Sequence, residues 1–149
     1  MKILIELNNL TQNSIEESFF VPIAEKIIRE SQVDFLADKE ISISVAIVSE
    51  EEIRKINEEY RKKDSPTDVL SFSEYENSKE LEEEIRSDIF LGEIILCYTY
   101  IASYATENGI SPESELANVF SHGVLHLLGF DHGEKMFSIQ KKVINTKNL

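Results

Sequence analysis

The residues Ile41-Ser42-Ile43-Ser44-Val45-Ala46-Ile47-Val48 alternate apolar and small side chains and are rich in β-branched residues. That pattern predicts a strand with one face turned to a core. It runs without a linker into Ser49-Glu50-Glu51-Glu52, a capping box that opens a helix. The helix carries Ile53, Ile56 and Tyr60 on one face. A strand passing directly into an amphipathic helix is a unit of layered α/β architecture.

The rest of the chain extends that unit. Ile3 to Leu7 reads as a short strand, and Phe19 to Glu30 as a helix with Pro22 in its first turn. Val69-Leu70-Ser71-Phe72 reads as a strand after the turn-rich loop Lys63-Asp64-Ser65-Pro66-Thr67. Residues 74 to 88 are acidic, lack apolar periodicity and predict an exposed, mobile excursion. Ile89 to Cys97 predicts a strand bent at Gly92, with Cys97 a small buried residue within it. Tyr98 to Asn108 predicts a helix closed by Gly109. Ser111-Pro112 is an N-cap and first-turn proline for a helix running through His126, ended by Gly129. A last helix begins near Glu134. The expected fold is therefore α/β (α+β): a small, mixed four-stranded sheet packed with about five helices, in a single domain over residues 1–149.

Composition narrows the function. With 15 basic and 28 acidic residues the net charge is −13, which argues against DNA binding and requires any RNA to meet a local basic patch. Arg54, Lys55, Arg61, Lys62 and Lys63 form such a patch, or else a solvated helix end. No apolar run is long enough to span a bilayer, no export signal is legible at the N-terminus, and the single Cys97 cannot form an internal disulfide. Cytoplasmic residence, away from membranes, is the resulting expectation.

All three histidines fall within eleven residues, His122-Gly123-Val124-Leu125-His126-Leu127-Leu128-Gly129-Phe130-Asp131-His132. A spacing of four inside a helix puts His122 and His126 on one face, a turn apart. Leu125 and Leu128 then face the core. Gly129 can turn the chain so that His132 swings back toward the first two. Three imidazoles and an open fourth position describe a catalytic metal site. Zinc (Zn2+), one per chain, is the expected ion, and other transition metals also accept such ligands. The spacing is shared with metzincin proteases, which carry a glutamate base directly after the first histidine. Here Gly123 stands there, which disfavours peptide hydrolysis.

The same histidine block resembles the signature of the YbeY family, bacterial endoribonucleases of rRNA maturation. Tyr60-Arg61-Lys62-Lys63-Asp64-Ser65-Pro66-Thr67-Asp68-Val69-Leu70-Ser71-Phe72 is similar to that family's second motif, and Leu91-Gly92-Glu93-Ile94 to its Gly-Asp-Ile, with Glu93 in place of the usual aspartate. The three blocks keep their order across residues 40 to 136. The resemblance implies a compact α/β fold, one zinc on the three histidines and cleavage of single-stranded RNA. It also implies work on 16S rRNA ends and the small ribosomal subunit, and an important role for Arg61.

Residue chemistry suggests the remaining parts. Arg61 is the candidate for gripping a phosphate, or it is a helix-terminal arginine offsetting the dipole. Asp68 and Asp131 are candidates for orienting ligands, or are a turn residue and a surface acid. Ser71 and Glu93 are candidates for lining the cleft, or simply belong to strands. Two other functions stay open at this point: a zinc hydrolase of another substrate, and a ribosome-assembly factor whose metal is mainly structural.

Overall fold

The computed structural model describes residues 1–131 and 133–147, with side chains up to residue 143. Along them run β1 (Lys2–Asn9), α1 (Glu17–Glu30), β2 (Glu40–Ile47), α2 (Glu50–Arg61), β3 (Val69–Ser73), α3 (Ser78–Glu82), β4 (Asp88–Leu96), α4 (Tyr98–Glu107), α5 (Pro112–Leu127) and α6 (Glu134–Lys147). The strands form one mixed sheet in the order β1-β2-β4-β3. β1, β2 and β4 are parallel, and β3 returns antiparallel along β4.

Strand alternation divides the interior in two. Ile41, Ile43, Val45 and Ile47 of β2 join Ile94 and Leu96 of β4 in the main core, which α1 and α5 cover. Phe20 and Phe120 meet in that core at a ring-centroid distance of 4.7 Å. Truncating such a buried phenylalanine costs about 3–5 kcal/mol. On the opposite face Ala46, Leu70 and Ile95 pack with Ile53 of α2 in a smaller cluster.

The predicted caps form. Ser49 Oγ accepts from the Glu52 amide and Ser111 Oγ from the Ser114 amide, with Pro112 in the first turn of α5. The expected bend at Gly92 is a bulge: Ser42 pairs with Phe90 but Ile43 with Gly92, so Leu91 is the extra residue. Gly92 has φ +141°, and a Cβ there would lie 2.2 Å from the Phe72 carbonyl oxygen.

Four expectations need correcting. α1 begins at Glu17, so Pro22 falls in its second turn and offers no N–H to the carbonyl of Ser18, an exposed residue. Cys97 is buried as expected but caps α4 rather than lying in the strand. The acidic stretch 74–88 is not a bare excursion. It holds α3, capped by Asn77 and anchored by the fully buried Leu81, which raises the number of α-helices among the described residues to six. One leucine among acids makes no periodicity, so the sequence signal for this helix was confined to its cap, Asn77 followed three residues later by Glu80. Tyr60, placed on the core-facing stripe of its helix, is instead 62% exposed, because α2 runs past the end of the small cluster. No helix among the described residues is long and apolar enough to cross a membrane.

Candidate functional site

A cleft of about 1090 Å³ opens between α5, β3 and the end of α2. His122 and His126 form part of its α5 wall, both half-buried. Their rings sit edge to face, and the two Nε2 atoms are 3.0 Å apart. Leu125 and Leu128 are buried on the other side of the helix, as the periodicity requires.

The turn after α5 sets the orientation of His126. Gly129 takes φ +95° and its amide donates to the His126 carbonyl, while the Phe130 amide reaches back to the Leu125 carbonyl. These two bonds make a Schellman closure, in which glycine is the favoured residue. The closure brings the Phe130 carbonyl to 3.1 Å from His126 Nδ1. A carbonyl only accepts, so Nδ1 carries the proton and Nε2 presents a lone pair to the cleft. A backbone acceptor behind the ring is the usual support of a metal-binding histidine. Two nitrogens sharing a tetrahedral zinc at about 2.0–2.1 Å would stand about 3.3 Å apart, close to the spacing seen. The donor set therefore fits a zinc-class ion with His122 and His126 as ligands. His132, the third sequence candidate, lies outside the described residues.

Gly123 is buried against the sheet. A Cβ at this position would lie 3.1 Å from Ile94 Cδ1 and 3.3 Å from Ile94 Cγ2. Any side chain there, including the glutamate that a metzincin would place, makes the Ile94 side chain give by a few tenths of an ångström.

The wall opposite the histidines comes from the segment after α2. Lys62 turns the chain in a left-handed conformation, and the buried Asn57 donates to the Ser65 carbonyl, pinning the loop. Arg61, exposed at the last residue of α2, and half-buried Asp68 both line the cleft. Burial pushes the Asp68 carboxyl above its ordinary pKa. Hydrogen bonds from Val69 and Thr67 and the charge of Arg61 pull the other way. Ser71 lines the cleft because it pairs with Ile94 and so shares the face toward α5. Asp131, exposed, stands at the rim. Glu93 is not among the cleft-lining residues. It pairs with Phe72, points to the α2 side of the sheet and meets Ser44 Oγ at 3.4 Å.

Sequence reasoning missed several cleft residues, among them Glu115, Asn118 and Gln140. Glu115 and Asn118 lie seven and four residues before His122, on the same face of α5. Extending the histidine periodicity backward would have found both. Asn118 Nδ2 donates to Glu115 Oε1 at 3.4 Å, and Gln140 of α6 donates to the Asn118 carbonyl and side-chain oxygens. Burial, then the nearby Asp68 charge, raises the Glu115 pKa. Gln140 had no comparable signal. Among the described residues the cleft thus sets one arginine against Asp68, Glu76, Glu115 and Asp131. An anion entering it needs a further positive charge.

A family model described as Endoribonuclease YbeY matches residues 6–148 of the chain. The Endoribonuclease YbeY of Bacillus pumilus is 38% identical, in an alignment covering 100% of this chain and 98% of the relative. That of Bacillus velezensis is 37% identical, covering 99% and 94%. A solution structure of a protein from Thermotoga maritima matches with a TM-score of 0.62 and 29% identity, covering 95% of this chain and 87% of that one.

Proposed function

The chain belongs to the Endoribonuclease YbeY family, and from that premise we propose that it is a zinc-dependent endoribonuclease cleaving single-stranded RNA at 16S rRNA ends on the small ribosomal subunit. The observation that supports this reading best is the pair of Nε2 atoms 3.0 Å apart in a cleft whose other wall carries Arg61.

His122 and His126 would hold the ion, with His132 as the third ligand expected from the sequence. When bound, a zinc-class ion supplies Lewis acidity and brings the pKa of water toward about 7. Arg61 grips two oxygens of the phosphodiester and offsets the charge that grows on them in the transition state. Asp68, close enough for its charge to act on Arg61 and held by Thr67 Oγ1, orients the approach to that guanidinium. Glu115, steadied by Asn118, retains a proton more readily than an open carboxylate and gives the cleft an acid–base group. Peptide hydrolysis is disfavoured, since the position of the protease base is packed against Ile94.

The test is cleavage of a single-stranded rRNA-end oligomer with and without a chelator, repeated with Arg61→Ala. Chelation should stop cleavage, and Arg61→Ala should retain metal while losing cleavage. Unchanged cleavage in both arms would overturn the assignment.

A further inference from the structure

Tyr60 occupies a position that the helix pattern assigns to the interior, four residues after Ile56 and seven after the buried Ile53. The small cluster beneath α2 ends before reaching it. The ring instead lies over β3, 5.2 Å from the Phe72 centroid at an interplanar angle of 69°. Phe72 therefore braces it from the sheet side, while 62% of the residue remains exposed. Tyr60 and Phe72 both line the cleft, and Tyr60 directly precedes Arg61 on the last turn of α2. Lys62 and Lys63 follow, both exposed. A braced aromatic face next to the cleft's arginine, with two more cations behind it, is the arrangement that holds single strands. The cations track phosphates, and the ring takes an unpaired base regardless of its identity.

We propose that Tyr60, braced by Phe72, is a stacking platform for an unpaired nucleobase flanking the phosphate held at Arg61. This rests on the reading of the cleft as an RNA site and deepens it. In a duplex both faces of each base are already covered by stacking on neighbouring pairs, so the platform selects single-stranded over duplex RNA.

The experiment is an abasic scan. A single-stranded rRNA-end oligomer is made as a series, each member lacking one base, and KM is measured for the metal-loaded wild-type protein and for Tyr60→Leu and Tyr60→Phe. In the wild type, one abasic position beside the cleaved bond should raise KM about tenfold, within the range of a lost base–aromatic stack. Tyr60→Leu should raise KM for the intact oligomer by a similar factor and erase the additional penalty at that one position. Tyr60→Phe, which keeps the ring, should restore the abasic sensitivity. A purely structural role for Tyr60 would leave the two penalties multiplying at every position. That result, or an unchanged KM in Tyr60→Leu, rejects the platform while the RNA reading stands. A wild-type protein that cleaves no single-stranded RNA rejects the RNA reading and the platform with it.

Discussion

His126 Nδ1 lies 3.1 Å from the carbonyl oxygen of Phe130, four residues later and beyond the end of the same helix. The contact exists because Gly129 turns the chain at φ +95° between them. A Cβ at residue 129 would also come within 2.7 Å of the Ser78 amide nitrogen, a backbone atom that cannot swing away. Gly129→Ala should therefore destabilise the fold by about 1–3 kcal/mol through backbone strain. It should also weaken metal binding by about 10–100-fold as His126 loses its support. Denaturant titration and a competition assay for zinc read the two effects separately. Wild-type zinc affinity in Gly129→Ala would show that the Phe130 carbonyl is not what orients the ring.

Gly123 makes a second, independent claim on its neighbourhood. Gly123→Ala pushes a methyl group to within 3.1 Å of Ile94 and should cost about 1–3 kcal/mol by overpacking. Gly123→Glu should be worse, since it adds a buried charge, and should confer no peptidase activity. Thermal melts and a fluorogenic peptide assay check this. A stable Gly123→Glu protein that cleaves peptides would reopen the protease reading.

Under the proposed function, the acidic lining of the cleft should make RNA affinity, and not only turnover, dependent on metal. With Arg61 facing four carboxylates among the described residues, removal of a divalent cation leaves net repulsion toward phosphate. Chelation should weaken binding of a single-stranded oligomer by at least about tenfold, as fluorescence anisotropy would detect. Equal affinity with and without chelator would place the RNA elsewhere on the molecule.

Tyr75 provides an alkaline test of the segment that covers the cleft's edge. Its hydroxyl donates to Glu84 Oε1 at 3.0 Å. Burial first, and then Glu84, push its pKa up from 10.0 to about 12. The folded state thus holds this proton more tightly than the unfolded chain, and stability falls as pH rises from 10 to 12. Tyr75→Phe should lose the hydrogen bond at neutral pH and flatten that alkaline decline. Melting curves across this range that match for the two proteins would remove Tyr75 from the account.

The strands and long helices were legible because each repeats its own pattern: alternation from Ile41 to Val48, and a four-residue step from His122 to His126. The pairing of the two histidines on one helix face was legible for the same reason. What stayed hidden depended on partners distant in sequence. Leu81 anchors α3 alone, Gln140 reaches Asn118 from another helix, and Glu93 faces away from the cleft because a bulge at Leu91 and Gly92 sets the strand's phase. Tyr60 looked like a core residue because periodicity describes a helix face and not where the core beneath it ends.

As proposed, the converging imidazoles hold one ion that RNA cleavage requires. Metal content and cleavage of a single-stranded rRNA-end oligomer, measured together on wild-type and His126→Ala protein, test it most directly. The expected result is about one zinc-class ion per wild-type chain with chelator-sensitive cleavage, and neither ion nor cleavage in a folded His126→Ala protein. A His126→Ala protein that keeps its ion, or that cleaves at the wild-type rate, would contradict it.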